Sequence, residues 1–226
     1  MDRETAETRD RLLETAAMVF AEHGFAAATI RMIAGRARVN VAAVNYHFGS
    51  KDGLYREVLR HVRRLAYERY PTTYGLKAEA TAEERLHAYV RSFLLRTVGA
   101  ESVPGFGVLM MREMVEPTSA LDMIVDEGIR SLFEQLVEIV RLLMGEESSG
   151  EEVLECARST ISQCVFYLFG RSVISRMAPE RKFDRVDIEK IASHITTFTL
   201  CALKGMAADK AGGVCKPGKK GRGGKR

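Results

Sequence analysis

The 226 residues suffice for one large domain, or for a small one fused to a larger one, and 46% hydrophobic side chains supply a real core, which excludes disorder across the whole chain. Net charge is +4, but residues 210–226 hold seven lysines and arginines and no acid, so the chain ahead of them is mildly acidic and any nucleic-acid partner has to be met by local charge. The four cysteines show no CxxC spacing, no apolar run approaches the roughly 18 residues of a membrane span, and residues 1–11 alternate acid and base where a signal segment would be apolar; the expectation is a reduced, soluble, cytoplasmic protein with no membrane partner.

Helical periodicity runs through the chain. Leu12, Leu13, Ala16, Ala17 and Phe20 mark a first helix, with Gly24 as its stop. Thr29 is placed to cap a second helix through Ile30 and Ile33. A third short segment runs from about Val41 to Phe48, and Gly49 breaks it. Ser50 is placed to cap a fourth helix, with Asp52 in its first turn and Leu54, Val58, Val62 and Leu65 on one stripe.

Pro71 and Gly75 mark a boundary. Thr81 and Glu84 form a capping-box pattern for the next helix. A Met-rich segment follows from Val108 to Val115, and Ser119 is placed to cap a long helix reaching Met144. Two further helices are predicted over about 151–176 and 184–208, separated by Pro179. No strand alternation is convincing. The reading is an all-α protein of about nine helices: a three-helix head over 1–70, a larger body over 71–209 and a disordered basic tail over 210–226.

Residues 29–51 read TIRMIAGRARVNVAAVNYHFGSK and contain Arg31, Arg36, Arg38 and Lys51 but no acid, between acid-rich helices. That is a local footprint for phosphate. Two short helices joined by a tight turn at Ala37–Asn40 make a helix-turn-helix, whose second helix lies in the major groove. Val41, Ala42 and Ala43 keep that helix slim enough to reach thymine methyls, and Asn45 suits adenine. Tyr46 and His47 carry polar tips for phosphates; Ser50 and Lys51 join a helix N-terminus to a cation. The bland alternative is an amphipathic hairpin, with Val39, Val44 and Phe48 in the core under either reading.

The head resembles the TetR (tetracycline-repressor-like) family. The matching residues are FAEHGF at the end of the first helix, then T-I-R-x-I-A, V-N and N-Y-H-F-G-S-K-D-G-L-Y, within residues 8–68. NYHFGSK together with REMVEPTSALD at 112–122 is similar to the CecR-like branch. The resemblance implies a homodimer on a palindromic operator, usually a repressor released by ligand. It also implies that Thr29 caps the second helix and touches phosphate, that Tyr46 and Lys51 clamp the backbone, and that residues 40–45, Asn40 included, face the bases. One departure stands out: many relatives place glycine where this chain has Arg38. A left-handed turn there costs a non-glycine residue on the order of 1 kcal/mol.

The body carries no recognisable chemistry. Met110, Met111, Met114 and Met123, with Phe93, Phe106 and Phe133, are candidates for an adaptable pocket holding a small hydrophobic effector; plain core packing is the alternative. Arg112 and Glu113 either fix the polar end of a ligand or form a surface pair. In the last two helices Phe166, Tyr167, Leu168 and Phe169 run consecutively, so one face cannot hide them all. A four-helix face between two copies is expected, using Ile161, Val165, Phe166, Phe169, Ile195 and Phe198. Cys156 and Cys164, two turns apart, read as buried thiols more readily than as a redox switch.

Enzyme signatures are absent: there is no GxSxG, HExxH or GxxxxGK[ST], and His23, His61, His87 and His194 lack metal-ligand spacing. No cofactor or metal is expected. The rival to a sequence-specific regulator is a non-specific architectural DNA binder that works through the basic tail.

Overall fold

A computed structural model describes residues 3–210, with side chains described for residues 8–206, and every regular element in it is helical. Apart from Lys210, the predicted basic tail, Cys215 included, lies outside the described residues. Helix α1 (Arg3–Ala27) is interrupted at Gly24, whose φ of 76° and ψ of 168° leave the helical region. Glycine suits this position because a φ of 76° with an extended ψ is a conformation that side-chain-bearing residues rarely adopt. The break strands carbonyls at the end of the long arm of α1. Arg112 satisfies them, donating to the carbonyls of Ala21 at 3.2 Å and Glu22 at 3.4 Å.

Helices α2 (Ile30–Ala37), α3 (Val41–Phe48) and α4 (Lys51–Arg69) complete the head. Each starts on a side-chain cap: Thr29 accepts from the Met32 N–H, Asn40 from Ala42 and Ser50 from Gly53. The caps at Thr29 and Ser50 are those the sequence indicates. Leu12, Phe20, Ile33, Val44, Leu54 and Val58 form the core of this unit.

The body contains α5 (Ala82–Thr97) and α6 (Phe106–Val115), then α7 over residues 121–144, α8 (Gly150–Met177) and α9 (Arg185–Lys210). That gives nine helices among the described residues. Thr81 and Glu84 make the predicted capping box, and Ser149 with Glu152 makes a second one at α8. Leu86, Val90, Leu94, Leu136, Ala157, Ile191 and Ile195 lie in the second core. The two cores meet at α6, whose Phe106 and Leu109 pack into the core of the head.

Helix α7 departs from expectation at two points. Ser119 does not cap it: its hydroxyl donates to Asp52 at 2.5 Å, and Thr118 Oγ1 takes the N–H of Ala120 at 3.1 Å. The acid at the start of α4 outcompetes the local cap. The helix is also not uniform. Leu121–Ile124 is α-helical, Val125–Ile129 forms a π turn, and Arg130–Met144 resumes the α-helix. Cys156 and Cys164 are buried, and burial pushes the Cys164 thiol up to about 12, which withholds the thiolate that a redox step needs. Among the described residues no helix is long and apolar enough to cross a membrane, and no group of side chains could hold a metal ion.

Candidate nucleic-acid interface and body cleft

The geometry of α3 follows from its eight residues. Val44 and Phe48 face the head core, and Val39 and Val41 lean on it. The opposite stripe, at helical spacing, presents Ala42, Asn45 and Tyr46, all exposed, and Tyr46 is 86% accessible. No side chain on this outer stripe before Tyr46 is larger than asparagine. The stripe is therefore narrow, with a single phenol projecting beside the His47 ring at 5.3 Å between centroids.

Positive charge flanks the stripe. Arg31 and Arg38 are exposed and have no ion-pair partner among the described residues. Arg36 is held by Glu22 at 2.6 Å, an exposed pair that keeps the Glu22 carboxyl below its ordinary range. Arg38 ends α2 with φ 55° and ψ 45°, the left-handed conformation, and its N–H reaches the carbonyls of Ala34 and Gly35.

Several sequence-indicated residues have other duties here. Asn40 spends its amide oxygen on capping α3, at 2.8 Å from the Ala42 nitrogen. Val41 is partly buried against the head core, so its reach outward is restricted, and Ala43 is likewise half-buried. Thr29 and Ser50 are exposed caps. Lys51 is a correction. Its ammonium donates to the carbonyls of Ala26 at 3.1 Å and Ala28 at 2.9 Å and lies 4.6 Å from the centre of the Phe25 ring. It closes the end of α1 because unpaired carbonyls there attract a cation more strongly than open solvent does; it does not stand free for a phosphate.

The predicted methionine pocket is a further correction. Phe106 is in the head core, with Met110 and Met123 packed on it; Phe93, Met111 and Phe133 pack on the body core; Met114 is exposed. None of the seven lines a described cavity. Glu113 does not form a surface pair. It is 1% exposed and accepts hydrogen bonds from the Tyr55 hydroxyl at 2.7 Å and from the Thr118 N–H and hydroxyl at 3.2 and 3.0 Å.

A cleft of about 670 Å³ lies instead between α4 and α7. Arg60, Arg63, Arg64 and Tyr67 form one wall, and Glu127, Gly128, Leu132 and Gln135 the other. The sequence reading missed these residues. Their one signal was the i, i+3, i+4, i+7 spacing on α4, which is indistinguishable from a solvated basic face until α7 is laid across it.

On α8 the outward residues are Phe166, Phe169, Val173 and Met177, again on one helical stripe, with Phe198 exposed on α9. Ile161 and Val165 are half-buried beside them. Ile195 is corrected: at 1% exposure it belongs to the body's own core with Ile188 and Ile191. Apolar positions on two sides of α9 do not reveal which side its own subunit covers.

Residues 12–58 match the model of the bacterial regulatory proteins of the tetR family, and residues 82–206, more than half of the chain, match that of the C-terminal domain of the HTH-type transcriptional dual regulator CecR. CecR of Shigella flexneri is 23% identical over 215 residues, covering 89% of this chain and 93% of that protein. AibR, solved in complex with isovaleryl coenzyme A and operator DNA, superposes with a TM-score of 0.62 at 18% identity, covering 84% of this chain and 97% of the other. A Saccharomonospora viridis regulator in complex with choline gives 0.62 at 22%, covering 85% and 95%.

Proposed function

Since the chain belongs to the TetR family of transcriptional regulators, in its CecR branch, and is therefore a DNA-binding regulator and not an enzyme, we propose that it works as a cytoplasmic homodimer that represses from a palindromic operator and is released by a small effector. The observation that carries this reading is the outer stripe of α3. Ala42, Asn45 and Tyr46 point away from the core beside two unpaired arginines, on a stretch free of acids. Ala42 and Asn45 contact base edges, while Tyr46, His47, Arg31, Arg38 and the caps Thr29 and Ser50 contact the backbone. Residues 1–70 act as the reading head, and residues 71–209 pair the subunits and hold the effector.

Pairing uses α8 and α9. A stripe of Phe166, Phe169, Val173 and Met177 with Phe198 alongside is too apolar a patch to leave in water, and a two-fold axis lets it cover itself. Relatives of this fold are solved with ligands as unlike as an acyl coenzyme A and choline, so the effector must follow from this chain's own lining.

Selection of bound fragments from genomic DNA tests the proposal. The expected product is an inverted repeat whose half-sites lie about one helical turn, or a multiple of it, apart. Recovery of no preferred sequence, with binding abolished by deletion of residues 210–226, would favour the architectural alternative. Survival of specific binding with a shallower salt dependence would make the tail accessory.

Arg38 offers a sharper test. Its left-handed backbone costs an arginine on the order of 1 kcal/mol relative to glycine. Arg38→Gly should therefore raise the unfolding free energy by roughly that amount while weakening operator binding and reducing the salt slope by about one. Unchanged affinity in this variant refutes the phosphate contact.

A further inference from the structure

The cleft between α4 and α7 holds an unusual arrangement of charge. Arg60 and Arg63 both point at one acid, Glu127: Arg60 Nη2 donates to its carboxylate at 2.6 Å and Arg63 Nη2 at 3.3 Å, and Arg63 also donates to its main-chain carbonyl. These guanidinium groups hold the Glu127 carboxyl below the ordinary carboxylate range, Arg60 first. The acid rides on the π turn Val125–Ile129. Such turns inside α-helices are frequent at functional sites, and a slip back to α-helical bonding re-aims the side chains on them.

Behind the cleft lies a second observation. Arg96 is 1% exposed and has no carboxylate partner among the described residues. Its guanidinium stacks 4.2 Å from the centre of the Tyr67 ring, which lines the cleft, and donates to the Tyr70 carbonyl. A buried cation without a counter-ion makes the floor of the cleft positive. Tyr67, Pro71 and Leu132 supply apolar wall, and about 670 Å³ falls within the range of small-molecule sites.

We propose that this cleft takes an anionic amphiphile, a carboxylate or phosphate head on an apolar body, and that the head displaces Glu127 from Arg60 and Arg63. Glu127 thus serves as an internal stand-in for the head. Displacement reaches the reading head through charge: Arg60 also holds Glu57 at 3.0 Å, and Glu57 holds Arg9 of α1 at 2.5 Å. Losing the Glu127 carboxylate changes what Arg60 shares with Glu57, and it removes one side-chain tie between α4 and α7. The effect on DNA rests on the regulator reading; the binding chemistry does not.

Full-length protein is titrated with 8-anilinonaphthalene-1-sulfonate, an anionic aromatic probe, and with N-phenyl-1-naphthylamine, which has the same rings without the charge. Glu127→Gln, which removes the competitor, is expected to tighten the sulfonate about tenfold, and Arg63→Gln to weaken it about tenfold, since a charged hydrogen bond carries roughly that factor. The neutral probe should bind all three proteins alike. Loosened packing would strengthen both probes, so a gain confined to the sulfonate in Glu127→Gln does not come from misfolding, and the prediction stands even if Arg63→Gln folds poorly. Equal sulfonate affinity in wild type and Glu127→Gln, or a neutral probe that tracks the anionic one, overturns the proposal. Operator binding measured without probe separates the two readings. Intact DNA binding with no response to Glu127→Gln sinks the effector class alone, while a probe response without operator binding sinks the regulator.

Discussion

Phe166→Asp is expected to yield a folded monomer whose operator affinity is about a hundredfold or more weaker. Phe166 is 62% exposed in the isolated subunit, so the substitution removes little internal packing and should cost about 0.5 kcal/mol or less in subunit folding. The damage lies between subunits. On the proposed two-fold axis each copy's Asp would be pressed against the partner's apolar stripe, and an isolated carboxylate cannot be dried there without loss of several kcal/mol. Two such carboxylates act across one interface. Binding two half-sites as one unit multiplies affinity by the effective concentration of the second head, and a monomer forfeits that factor. Sedimentation velocity and operator anisotropy on the same sample check both halves of the expectation. A variant that keeps its dimer mass rules out this face.

The contrast between Phe166 and Ile195 shows what the sequence could convey. Helix boundaries were legible wherever the deciding chemistry is local. The caps at Thr29, Ser50 and Thr81 work through bonds to residues three positions on, and the left-handed turn at Arg38 follows from the short spacing of two helices. The outward stripe of α3 was legible because Val44 and Phe48 had to be inward in any packing. Side-chain destinations set by distant segments were not. Ser119 lost its capping role to Asp52, 67 positions away in sequence. Lys51 was drawn to carbonyls more than 20 positions earlier. Ile195 and Phe198, three apart on one helix, face opposite environments, and periodicity cannot say which surface belongs to the subunit's own core. The methionines were read as a pocket because their softness suits one, yet the same softness suits irregular core gaps, and five of the aromatic and methionine candidates are only partly buried fillers against the two cores. The π turn in α7 left no compositional mark at all.

Glu113→Ala carries the other large expectation, a loss of about 3 kcal/mol in unfolding free energy. The carboxylate stands at the meeting of three segments: α6, which bears it; α4, through the hydroxyl of Tyr55 at 2.7 Å; and the link to α7, through Thr118. Burial, reinforced by the hydrogen bond to Glu113, drives the Tyr55 ionisation far above its ordinary value, so the phenol keeps its proton and donates at any pH the protein survives. Truncation to alanine leaves that hydroxyl, on a tyrosine only 1% exposed, and the half-buried Thr118 N–H without their acceptor. Each orphaned donor costs about 1–3 kcal/mol, and two of them account for the figure. Glu113→Gln retains an acceptor oxygen and should lose roughly 1 kcal/mol, because one donor is then faced by an amide N–H₂. Urea unfolding of the three proteins gives the ordering, provided the slopes agree. The same α6 turn carries Arg112, which closes the break in α1 at Gly24. Helix α6 therefore touches the reading head at both of the helices that frame it, and a loosened Glu113 should also blunt any response of operator affinity to a bound anion. An alanine variant as stable as the wild type would mean that water already reaches this carboxylate, and α6 would then transmit nothing to the head through it.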